Sequence, residues 1–115
     1  MSARQDLFSH LSANVPLADG RVYPLMMPQD TEFPALVYAV VSDIDHGYML
    51  CDDGNSTRWQ VDCYAESYAD AVATMEETKA ALYGFAKFPH DLDTQEMYEK
   101  DTGLFRQMID FATKG

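Results

Sequence analysis

The sequence predicts a single α+β domain in which a mainly antiparallel β-sheet packs against two α-helices. Three observations predict it. Residues 57–65 alternate strictly, with Trp59, Val61, Cys63 and Ala65 on one side and Arg58, Gln60, Asp62 and Tyr64 on the other, which is the period of a half-buried strand. Two other segments, one near the N-terminus and one after Ser67, repeat apolar residues at helical spacing. Near the C-terminus, Asp101-Thr102-Gly103 places glycine where a tight hairpin needs positive φ.

Taken in order, the first element is a helix over residues 3–14. Ser2 and Gln5 have the spacing of a capping box, Leu7, Phe8 and Leu11 share a face, and Pro16 stops the helix. His10 is expected on its exposed side. Pro16, Pro24, Pro28 and Pro34 then fall close together. Each lacks a backbone donor and restricts its predecessor, so the region is expected to run extended, without helix. Arg21-Val22-Tyr23 suits a short edge strand, where a following proline is tolerated.

The run 35–41, Ala-Leu-Val-Tyr-Ala-Val-Val, is β-branched and apolar on both faces, which predicts a central strand. Residues 43–56, rich in Asp, Gly and Asn, are expected to form a long connection between it and the strand 57–65, the two pairing antiparallel. Ser67 and Asp70 cap a second helix. Its buried face is expected to carry Tyr68, Ala71, Val72, Met75, Lys79 and Leu82, with Asp70, Glu76 and Glu77 outside and Gly84 ending it. The C-terminal segment reads as a hairpin, Met97-Tyr98-Glu99 against Leu104-Phe105-Arg106. A helix carrying Leu104, Phe105, Met108, Ile109, Phe111 and Ala112 is the alternative.

Composition narrows function. The 115 residues fit one domain, and 47% hydrophobic residues suffice for a core without staples. Eight Lys+Arg face nineteen Asp+Glu, a formal net charge of -11. Such a surface repels phosphate, and no Lys/Arg cluster interrupts it, which argues against nucleic-acid binding and anionic membranes. No signal peptide or span is expected, the longest apolar run being far too short to cross a bilayer. Cys51 and Cys63 form no Cys-x-x-Cys, and Cys63 on a buried strand face acts as a small hydrophobe, so a reduced setting is the default.

The search for chemistry finds no site. His10, His46 and His90 lie far apart, no serine sits in a nucleophile elbow, and every glycine is isolated. Asp43-Ile44-Asp45-His46-Gly47 imitates the start of a calcium loop, but its third acidic position and terminal glutamate are wrong and its glycine comes one residue early, so a solvated acidic turn is expected. No catalytic, cofactor or metal residue is predicted. Two segments instead suggest partner surfaces. One is the apolar island Tyr48-Met49-Leu50 beside His46 in the acidic loop, which can bury itself under the loop or dock on a neighbouring subunit; the other is the proline-rich run with Leu25, Met26, Met27 and Phe33, which can pack on its own sheet or lie along another chain. The candidate interface residues are His46, Tyr48, Met49, Leu50, Met26 and Met27.

One ordered series runs through nearly the whole chain. It comprises a short helix, Arg21-Val22-Tyr23-Pro24, Pro28-Gln29, Phe33-Pro34-Ala35-Leu36-Val37-Tyr38, Gln60-Val61-Asp62-Cys63-Tyr64-Ala65, Ser67-Tyr68-Ala69-Asp70-Ala71, Tyr98, Asp101-Thr102-Gly103-Leu104-Phe105-Arg106 and Asp110-Phe111. It resembles a family of small tail-completion (tail terminator, head–tail joining) proteins of long-tailed phages and prophages; the loop 43–56 matches no pattern.

The resemblance implies that residues 1–115 form one tail-completion-like domain. It also implies a structural virion protein without catalysis or cofactor, assembling as a ring, usually hexameric, at the head-proximal end of the tail. Its partners would be copies of itself, the tail-tube protein and the head connector, in the virion tail and in the host cytoplasm during assembly. Loops and edge strands would make the ring's heterologous contacts, and a negative lumen would repel passing DNA. The rivals are a small acidic adaptor or immunity-type protein that neutralises a basic partner, and a metal-dependent enzyme built from His46, Asp43 and Asp45.

Overall fold

The computed structural model describes residues 3–45, 55–85 and 89–114. The first helix, α1, is Ala3–Asn14, and it buries Leu7 and Leu11 completely. Phe8, expected on the same face, is more than a third exposed and meets Tyr38 at the helix margin. Ser2, half of the predicted capping box, lies outside the described residues. His10 corrects the expectation of exposure. Its Nε2 donates to the carbonyl of Ala81 at 2.6 Å and its ring lies 5.1 Å from Phe85, so it is half-buried between the helices.

The proline-rich segment is not wholly extended. Pro16–Ala18 forms a single 3-10 turn that starts at the proline itself, because a first helical position loses nothing by lacking an N–H. Glu77 Oε1 accepts from Leu17 N at 3.0 Å and ties this turn to the second helix. Strand β1, Val22–Pro24, follows and pairs parallel with β2, Ala35–Asp45. The Phe33–Pro34 peptide between them is cis.

Strand β2 is longer than predicted. It pairs antiparallel with β3, Asn55–Ala65, in a register running from Ala35↔Tyr64 to Asp45↔Asn55, with a bulge between Val40 and Ser42. Asp43 and Asp45 are therefore strand residues, which corrects the acidic turn assigned to them, and the connection shrinks to residues 46–54, outside the described residues. Ladder pairing extended both strands past the point where their apolar pattern stops.

The cap on α2, Tyr68–Tyr83, is as predicted: Ser67 Oγ accepts from Asp70 N at 3.2 Å. Its buried face is not. Ala71, Thr74, Met75, Thr78, Ala81 and Leu82 point inward, whereas Tyr68 is half exposed and Lys79 only partly covered. The threonines explain the rotation. Thr74 Oγ1 donates to Asp70 O at 2.7 Å and Thr78 Oγ1 to Thr74 O at 2.8 Å, so each hydroxyl is satisfied on its own helix and its methyl is free to pack.

The C-terminal segment is a hairpin, so the helical alternative does not hold. Strands β4, His90–Glu99, and β5, Leu104–Lys114, pair antiparallel around residues 100–103. Gly103 takes φ +73° and its N–H reaches Glu99 O at 2.8 Å. The loop holds four residues, one more than predicted, since Lys100 belongs to it. The five-stranded sheet has the order β1-β2-β3-β5-β4. No helix among the described residues is long and apolar enough to cross a membrane.

Both helices lie on one face of this sheet. Leu36 and Tyr38 of β2, Trp59, Val61 and Cys63 of β3, and Ile109 and Phe111 of β5 meet Leu7, Leu11, Met75 and Leu82 in one core. Trp59 Nε1 donates to Thr113 Oγ1 at 2.9 Å, which satisfies the indole inside the core. Cys63 is fully buried beside Thr78, and burial pushes its thiol up to about 12.

The other face holds paired charges. Arg106 Nη2 lies 3.1 Å from Asp62 Oδ2, which also accepts from Gln60 at 3.2 Å, and the Arg106 guanidinium sits 5.6 Å from the Tyr64 ring centroid. Arg58 Nε lies 3.0 Å from Asp110 Oδ1. Asp62, assigned to the outward set, is nearly as buried as the core because these neighbours cover it.

Four outcomes are expected. Leu82→Ala lowers unfolding free energy by about 2–5 kcal/mol in urea titrations, the usual result of emptying a fully covered leucine site. Arg106→Ala costs about 2–4 kcal/mol, since Asp62 keeps only 9% of its side chain exposed. Arg58→Ala costs under about 1 kcal/mol, since its pair with Asp110 is roughly a third exposed. In a Cys51→Ser chain, a thiol reagent at pH 8 leaves Cys63 untouched until denaturant is added, because the folded thiol stays protonated well above that pH.

Candidate functional site

Helix α2 packs over β3 and β5 and α1 packs over β1, burying Val22, while the far edge strand β4 gives the core only Leu92. At the β1 edge, α1 begins beside a cavity of about 240 Å³ walled by Arg4, Pro24, Leu25, Tyr38, Val40 and Trp59. Arg4 is the one charged residue in that wall among the described residues. Burial raises the Tyr38 phenol above its ordinary value while the nearby Arg4 charge opposes the shift.

Leu25 of this wall and the adjoining Met26 are each 76% exposed. Leu25 takes φ +67°, a left-handed backbone that a bulky side chain adopts only against a steric penalty on the order of 1 kcal/mol. The turn is held by Leu25 N donating to Tyr38 O at 2.9 Å and Met26 N to Pro24 O at 2.7 Å. Two apolar side chains are thus fixed in water by a strained turn.

The opposite edge is β4. Among its ten residues are Asp91, Asp93, Glu96 and Glu99, and none is Lys or Arg. Only Leu92 packs against the core. Near the hairpin end, Tyr68, Phe105 and Tyr98 form an aromatic strip, with ring centroids 6.0 Å and 4.9 Å apart in turn. Tyr68 and Tyr98 are each about half exposed. A second cavity of about 240 Å³ opens along this strip, walled also by Glu96, Met97 and Gln107. Glu96 Oε2 accepts from Tyr68 Oη and from Gln107 Nε2, each at 2.8 Å. The Gln107 bond and then the Tyr68 bond hold the Glu96 carboxyl below its ordinary value, and the Tyr68 phenol is raised in return. The carboxylate is therefore fixed in place and charged at neutral pH.

Of the predicted interface residues, Met26 is exposed at the β1 edge and Met27 is half-buried beside it. His46, Tyr48, Met49 and Leu50 lie outside the described residues. Sequence reasoning passed over Arg4, Glu96 and the Tyr68–Phe105–Tyr98 strip. The adjacent Met97-Tyr98 pair inside a mostly polar strand was the available signal. Among the described residues, no group of three or more His, Cys, Asp or Glu is arranged to hold a metal ion.

Comparison with known proteins places this architecture. No curated protein sequence matches the chain. Among solved structures, a chain from the virion of a native gene transfer agent particle superposes with a TM-score of 0.58 at 12% identity, over 98% of this chain and 93% of that one; the likeness shows a shared fold. The family described as tail completion protein gp17 matches residues 5–114, nearly the entire sequence. The chain belongs to that tail completion family.

Proposed function

We propose that this protein is a non-catalytic structural subunit of a phage-type tail, capping the tail tube and joining it to the head by closing into a ring with its own copies. The family match across residues 5–114 carries this reading. The surfaces support it. A ring of like subunits needs two different patches on each subunit, one for each neighbour, and the β1 and β4 edges present two unlike apolar patches. Binding energy placed at such patches is all the task requires.

The tube and the head connector are the remaining partners in this reading, and the connection 46–54 with its Tyr48-Met49-Leu50 island is proposed to reach one of them. The formal charge of -11 suits a ring through which DNA passes, since carboxylates facing the lumen repel phosphate. The subunit would work in the virion tail after assembly in the host.

Electron microscopy of particles made without the gene tests the proposal. The expected result is headless tails, tubes of uncontrolled length, or both, with capsids filled normally. Infectious particles of normal form and yield in its absence would remove the proposal.

A further inference from the structure

The two edge patches match one another. One has a single cation, Arg4, beside exposed Leu25 and Met26; the other has a single lining carboxylate, Glu96, beside Met97 and Tyr98. They sit at opposite ends of the strand order, four strand spacings or about 19 Å apart, so one subunit cannot bring its own two patches together. From this complementarity, and resting on the structural reading above, we infer that the Arg4–Leu25–Met26 patch of one copy receives the Glu96–Met97–Tyr98 patch of the next.

Charge decides between this contact and its alternatives. Two β4 edges set against each other would oppose Asp91, Asp93, Glu96 and Glu99 with their own copies, and like charges directly opposite are destabilising. Two β1 patches would oppose Arg4 with Arg4. Only the unlike pairing sets a cation against a carboxylate, and it leaves each pair of subunits with one unused patch of each kind. Contact therefore propagates from copy to copy, in the manner of a ring or filament, and does not stop at a symmetric dimer. The exposed apolar side chains supply contact area, and Glu96, already oriented by Tyr68 and Gln107, needs no further ordering to meet a guanidinium.

Cysteine crosslinking separates the outcomes. In a Cys51→Ser background, where Cys63 is buried and does not compete, Met26→Cys and Tyr98→Cys chains are oxidised alone and mixed, both as purified full-length protein and in assembled particles. The mixture is expected to form a covalent dimer that neither single variant forms, and a chain carrying both cysteines is expected to form a ladder. Arg4→Glu should lower the yield about tenfold, and Glu96→Lys on the facing chain should restore it. Met26 and Tyr98 are exposed, so folding is preserved, which circular dichroism verifies. Self-crosslinking of either single variant, capture of a different tail protein at Met26→Cys, or no crosslink in either setting overturns the pairing. If tails still fail without the chain while the pairing is overturned, the structural role stands and only this contact falls. If particles form normally without it, the role itself falls.

Discussion

Two helices bury one face of the sheet, α2 over β3 and β5 and α1 over β1. The face needs covering because β3 and β5 place Trp59, Val61, Cys63, Ile109 and Phe111 on the same side. With α1 over β1 and α2 over β3 and β5, β4 has only Leu92 against the core, and the chain leaves β1 through the exposed turn at Leu25 and Met26. The same hydrophobic burial that stabilises the subunit thus decides where apolar surface remains uncovered. What is left over is two separated patches, one per edge.

Acidity works on those edges as a discriminator. Nineteen acidic residues against eight basic ones keep copies apart wherever carboxylates would meet, and β4 concentrates four of them on an edge strand with an open hydrogen-bonding side. Edge strands without such charges pair indiscriminately. The open face of the sheet shows the complementary use of charge. There Arg106 and Arg58 pair with Asp62 and Asp110 within one subunit.

This division suits the structural role proposed for the chain. The family is one of tail completion proteins, and a chain from a gene transfer agent virion shares the fold at 12% identity. Few side chains coincide at that identity, so the likeness is one of fold. Strain at Leu25 fits the same picture, since a bulky residue held at φ +67° makes no stabilising burial within the subunit.

The sequence by itself determined the elements whose causes are local. Alternation along 57–65 gave the strand, Ser67 and Asp70 gave the helix start, and the turn at Gly103 gave the hairpin, because period, capping and φ depend on residues a few positions apart. The family resemblance and part of the β1 patch were legible for the same reason, Met26 standing in a short apolar run between prolines. Tertiary structure alone decided the rest. β1 became a parallel strand, β2 and β3 outran their apolar pattern, and β4 formed from ten mostly polar residues because β5 offered it a ladder. Asp62 is buried by Arg106, 44 positions away, and α2 turned Thr74 and Thr78 inward because their hydroxyls were already satisfied. The Arg4 and Glu96 patches belong to this second class. Each is assembled from residues distant in sequence, and no local pattern records which surface two helices will fail to cover.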